Sequence, residues 1–103
     1  MPRIHSEAAR LIGQRIRRAR QDLGISLENL GELAEVNWTS VGKIERGVSS
    51  PTTETLIRIA TALEVDAGDF LHGITADAYN ARHHQLTARE FIEARTHAGR
   101  RGL

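Results

Sequence analysis

The chain has 103 residues, is 40% hydrophobic and 26% charged, carries a formal net charge of +1 and contains no cysteine. That length allows one domain and a tail, and the composition is that of a globular chain. Disulfides and thiolate chemistry are excluded, no apolar run reaches the roughly 18 residues of a membrane span, and the opening stretch lacks the apolar centre of a secretory signal, so a cytoplasmic location with no membrane partner is expected.

Aromatic residues make up only 4% of the chain, so the core must be built from Leu, Ile, Val and Ala. Charge is uneven. Residues 1–25 hold six arginines against Glu7 and Asp22, a net of +4, whereas residues 26–36 and 51–71 each carry −3 and the last 32 residues +2. The first segment is expected to give the molecule a positive side.

Ala8, Ile12, Ile16, Ala19 and Leu23 recur three or four residues apart, which places them on one helix face. With Ser6 as N-cap and Gly24 as stop, the first helix is predicted over 7–23. Arg10, Arg17, Arg18 and Arg20 fall mostly off the apolar face. Ser26 caps a second, short helix at about 27–34, with Leu27, Leu30, Leu33 and Ala34 behind it. Asn37 opens a third, over 38–46, with Val41 and Ile44 inward and Gly47 at its end. Val48 to Pro51 reads as a loop. Thr52 or Thr53 caps a fourth helix buried through Leu56, Ile59, Ala60 and Leu63. Asp66 caps a short fifth that carries Phe70 and Leu71 and stops near Gly73. No segment alternates as a strand does.

Ile74 to Gln85 has a mixed pattern. Thr87 and Glu90 have the spacing of a capping box, which opens a helix over 88–98 with Ala88, Phe91, Ile92 and Arg95 on one face. The basic end from Gly99 is expected to fray.

Two short helices joined by a turn at 26–47, inside an all-α chain, make a helix-turn-helix. Trp38, Thr39, Gly42 and Lys43 are the outward positions of its second helix. Ser26, Leu30, Val36, Val41 and above all Ile44-Glu45-Arg46-Gly47 resemble the phage-repressor/Cro-like (XRE-type) helix-turn-helix family. Pro51 and Ala62-Leu63-Glu64-Val65 extend the resemblance, which covers about 12–72. It implies a five-helix, lambda-repressor-like DNA-binding domain at 6–73 with a C-terminal helical extension at 74–103.

The resemblance also implies a function: a sequence-specific regulator of transcription that binds double-stranded DNA as a homodimer. Its helix 38–46 would enter the major groove, which admits one α-helix. Trp38, Thr39 and Lys43 would then meet bases. Asn37, Ser40, Arg46, Ser49, Ser50, Thr52 and Arg17 would meet phosphates. Arg20 would pair with Glu45 and lock the recognition helix to the scaffold. Phe70, Leu71 and Ile74 would lie at a dimer surface that Tyr79, Phe91 and Ile92 of the extension would widen into an arm.

Four residues depart from the family pattern. Leu27 stands where a phosphate-binding Gln is common, Gly31 where a small Ala is usual, and Glu35 where a turn Gly is usual. Gly42 offers the groove no side chain. Leu27, Glu35 and Gly42 favour the alternative, a helix-turn-helix used as a protein-interaction module for a partner regulator or toxin, with DNA contact secondary. No metal or cofactor is expected: the adjacent His83 and His84 do not share a helix face, and no His-Glu-x-x-His pattern occurs. Nothing orders Ser, His and Asp as a triad, so an enzyme is not expected.

Overall fold

The computed structural model describes residues 3–79 and 86–101, with the side chains of 98–101 left out. The expectations about His83 and His84 lie outside the described residues. Four α-helices form the domain: α1 (Glu7–Leu23), α2 (Leu27–Ala34), α3 (Trp38–Glu45) and α4 (Thr53–Ala62). Single 3₁₀ turns follow at Ala67–Phe70 and Ala76–Ala78, and α5 spans Ala88–Arg101.

The helix starts follow from their caps. The Ser6 hydroxyl accepts from the Ala9 amide at 3.0 Å, Ser26 and Asn29 form a reciprocal capping box, Asn37 accepts from the Thr39 amide, and Thr52 accepts from the Thr55 amide. Each cap pairs an N–H that the first turn leaves without a partner. Gly24 closes α1 in the left-handed region at φ 70°.

The four helices close around one core. Ile12 and Ile16 of α1, Leu30 of α2, Val41 and Ile44 of α3, and Leu56, Ile59 and Leu63 at α4 are all buried together. Glycines bring the backbones close. A Cβ on Gly13 of α1 would run into the Ile44 carbonyl oxygen of α3. One on Gly31 of α2 would lie 2.9 Å from Cα and Cβ of Trp38. Gly31 is therefore not merely a weak helix former in the place of alanine: alanine does not fit there.

The expected fifth helix is a 3₁₀ turn. Asp66 caps it onto Gly68, only four residues follow, and Gly73 turns the chain at φ 75°. Phe70 inserts into the core, and Arg15 of α1 donates to the carbonyls of Phe70 at 3.1 Å and His72 at 2.8 Å, which ties the turn down. Leu23 and Leu33, expected on buried faces, are exposed. Leu23 lies in the last turn of α1, beyond the reach of the core, and Leu33 edges the α2–α4 groove. Beyond the expected end at 98, α5 continues through Gly99 to Arg101.

Glu35 caps α2 with φ 57° and ψ 43°, its amide donating to the Glu32 and Gly31 carbonyls. A Cβ in the left-handed region costs about 1–2 kcal/mol. Glu35→Gly removes that strain and loses only an exposed ion pair to Arg58 at 3.1 Å, the kind worth about 0–1 kcal/mol. The substitution is expected to stabilise the fold by about 0.5 kcal/mol and to raise the thermal midpoint by about 2–4 °C. A lowered midpoint would mean that the Arg58 pair outweighs the backbone strain.

Candidate nucleic-acid interface

The candidate interface is built on α3, and three contacts fix its position. The first is the Gly13 crossing with α1. The second is an ion pair: Arg20 of α1 donates from Nε to Glu45 Oε2 at 2.7 Å and from Nη2 to Oε1 at 3.0 Å. Its Nη1 donates to the Ile25 carbonyl at 2.8 Å. One guanidinium thereby joins α1, the α1–α2 turn and the end of α3. The side chains are 13% and 3% exposed, and hydrogen bonding to Glu45 raises the Arg20 pKa above its ordinary value. The third is Gly47, at φ 75°, where a Cβ would lie 2.9 Å from Arg10 Cα. The His5 amide donates to its carbonyl at 2.8 Å.

So held, α3 turns Trp38, Thr39, Ser40 and Lys43 to the outside, all exposed. Among the described residues, no hydrogen bond or ion pair holds the side chains of Lys43, Arg46 or Arg17. Their donors are not engaged within the described residues. Gly42 departs from its expected outward position. It is buried, and a Cβ there would meet Arg46 Nη1 at 3.0 Å and Leu27 Cδ1 at 3.8 Å. The missing side chain makes room for Arg46 and Leu27 to close over the helix. Arg17, Arg20, Leu27, Gly42, Glu45 and Arg46 line one small hollow between α1, α2 and α3. The chemistry of this spot is thus a pair of exposed guanidiniums, those of Arg17 and Arg46, over an apolar Leu27 floor.

The remaining expected phosphate contacts take mixed positions. Asn37 uses its Oδ1 to cap α3, and Thr52 uses its hydroxyl to cap α4 while donating to Thr55 Oγ1 at 3.0 Å. Ser49 is half-buried and Ser50 exposed. Trp38 is half-exposed, and it shares a hollow with Glu28, Glu32 and Glu35, so its indole stands beside an acidic stripe of α2. Composition already marked 26–36 as acidic; that α2 would turn this charge towards Trp38 needed the α2–α3 crossing at Gly31.

The sequence pattern of the helix-turn-helix family matches residues 16–70. The chain belongs to the XRE-type helix-turn-helix family. Over 63 residues it is 41% identical to the HTH-type transcriptional regulator SutR of Escherichia coli (strain K12), a match that covers 61% of this chain and 35% of SutR. Over 61 residues it is 30% identical to the HTH-type transcriptional regulator DdrOP3 of Deinococcus deserti, covering 59% of this chain and 47% of that protein. The chain therefore spans between a third and a half of the length of these relatives. Among solved structures it is similar to the P22 c2 repressor protein in complex with a synthetic operator, with a TM-score of 0.58 and 31% identity over 62% of this chain and 97% of that one.

This XRE-type domain has the lambda-repressor-like fold, and its matched relatives are regulators of transcription rather than enzymes. Among the described residues no helix is long and apolar enough to cross a membrane. Arg15 and Gly13 were missed by sequence reasoning. Arg15 sits among five other arginines of the first segment with nothing to single it out, and Gly13 interrupts a helix face with no sign that a backbone lies against it. Of the residues expected at a dimer surface, Leu71, Tyr79, Phe91 and Ile92 are exposed and Ile74 is half-buried against the core. Phe70 is 3% exposed. Its ring fills its own core, which takes it out of that surface.

Proposed function

We propose that this chain is a sequence-specific, double-stranded-DNA-binding regulator of transcription that acts as a homodimer, with α3 in the major groove. One observation carries the reading. The outward row of α3 is free of internal partners, while the helix behind it is clamped by Arg20–Glu45 and by glycine contacts. A recognition element must be held rigidly and keep its donors unused, because base readout depends on placed hydrogen bonds. Lys43 suits guanine O6 and N7, and the Thr39 methyl suits a thymine methyl. Arg17 and Arg46 suit phosphate, with Ser40, Ser49, Ser50 and the amides opening α2 and α4 beside them.

Selection from random duplex DNA tests the reading. A palindromic site is expected, with half-sites about 34 Å apart, one turn of the duplex. Lys43→Ala is expected to lose about 1–3 kcal/mol at one base position of each half-site and to relax choice there. An unchanged site profile for Lys43→Ala would remove Lys43 from base readout. Recovery of no site would overturn the whole reading.

A second reading has one observation in its favour. Trp38 stands beside Glu28, Glu32 and Glu35, a setting that repels phosphate and suits a basic protein surface. If Trp38→Ala leaves the DNA site profile intact, Trp38 belongs to such a surface, with a partner regulator or toxin as its occupant.

A further inference from the structure

Two apolar surfaces among the described residues lack a cover. One is a groove between α2 and α4, a hollow of about 390 Å³ lined by Leu33, Ala34, Ile57, Thr61 and Ala62. Leu33 is 62% and Ile57 51% exposed at its lips. The other is the apolar side of α5, where Phe91 is 51% and Ile92 61% exposed. Clustered apolar side chains of this size in water mark a contact surface.

The charges around the two surfaces are opposite. Glu35 and Arg58 line the groove and Glu54 pairs with Arg58, so the rim holds two glutamates against one arginine. By contrast α5 is net basic, with four arginines against Glu90 and Glu93. Arg95 already covers the Phe91 ring, its guanidinium carbon 5.6 Å from the centroid, and stands ready at the edge of the apolar face. No residue of α3 lines the groove.

We propose that α5 of one copy lies in the α2–α4 groove of a second copy, each protomer lending its helix to the other. The inference rests on the homodimer of the proposed function and names its contact. The chain's own α5 does not fill its own groove: Phe91 and Ile92 stay exposed. Exchange repeats every contact by two-fold symmetry, so each apolar side chain covered at one groove is covered again at the other. Phe91 and Ile92 enter between Leu33 and Ile57, and Arg89 and Arg95 face the glutamates of the rim. The recognition row of each α3 stays open.

The absence of cysteine makes a clean test possible. Leu33→Cys and Ile92→Cys are prepared as separate full-length variants, mixed at low concentration, concentrated, and joined with a short bis-maleimide. Light scattering reports the oligomeric state and circular dichroism the fold. The expected result is a dimer, with a linked species of twice the chain mass formed at least tenfold more in the mixture than in either variant alone. Leu33→Lys is expected to raise the dimer dissociation constant at least tenfold with helicity unchanged. A dimer that links no better in the mixture overturns the groove contact and leaves the homodimer standing. A chain carrying both substitutions that links only within itself assigns α5 to its own groove and overturns the exchange. A monomer at all concentrations overturns the homodimer and the exchange together.

Discussion

Replacing Gly13 by alanine is expected to cost at least about 3 kcal/mol, the top of the range for overpacking. The added Cβ would run into the Ile44 carbonyl oxygen and lie 2.8 Å from that of Glu45. Overpacking is mild where a side chain can swing aside. Here the obstacle is the backbone of the last turn of α3, which the Ile44 side chain, the Arg20–Glu45 pair and Gly47 all hold in place. Relief requires α1 and α3 to separate, and with them most of the core. Domains of this size have only about 5–15 kcal/mol of total stability. The thermal midpoint should therefore fall by more than about 12 °C. Gly68→Ala is the control, because the nearest atom to its new Cβ is the Asp66 side chain at 3.5 Å; it should change stability by no more than about 0.5 kcal/mol. A Gly13→Ala midpoint within a few degrees of the parent would mean that α1 and α3 cross farther apart than described.

The Arg20–Glu45 pair should show an asymmetric response. Arg20→Ala leaves Glu45 as a carboxylate with its side chain 3% exposed and its guanidinium gone. Stranding a buried charge costs about 3–5 kcal/mol. Glu45→Ala strands a guanidinium that is 13% exposed and still donates to the Ile25 carbonyl, so about 1–2 kcal/mol is expected. Replacing both with apolar residues of similar volume, Arg20→Met with Glu45→Leu, should recover most of the Arg20→Ala loss, since a well-packed apolar pair often equals a buried ion pair. Urea unfolding of the three variants and the parent checks the order. Equal losses for the two alanine variants would show that solvent reaches Glu45 as easily as Arg20.

Much of the fold was legible because local rules agreed with one another. Ser6, Ser26, Asn37 and Thr52 cap where their positions before apolar stripes predict, and the stripes, apart from Leu23 and Leu33, pack into or against the core. The Ile44-Glu45-Arg46-Gly47 segment led to the family because each residue has a separate job: core contact, ion pair, surface cation, and a left-handed turn against α1. The short fifth helix stands at its Asp66 cap but as a single 3₁₀ turn, because Asp66 and the apolar pair Phe70-Leu71 fit that form as well as an α-helix, and Arg15 binds the carbonyls that follow. Gly31 and Gly42 were read for what their missing side chains deny the helix or the groove. Their meaning lies in what the gap admits, Trp38 in one case and Arg46 with Leu27 in the other. Sequence periodicity carries no record of such approaches between distant backbones. For the same reason the Trp38 hollow was out of reach, although the acidity of α2 was visible.

The hydrogen bond from His5 to Gly47 ties the residues just before α1 to the loop that leaves α3. An engineer who fuses a tag close to His5, or a protease that trims the chain there, therefore acts on the trailing end of α3. Removal of that amide strands the Gly47 carbonyl and leaves the turn to the Gly47–Arg10 contact and to the Gly47 and Val48 amides that donate back to Ile44 and Lys43. Fusions are better carried behind α5, where they leave the end of α3 as it is.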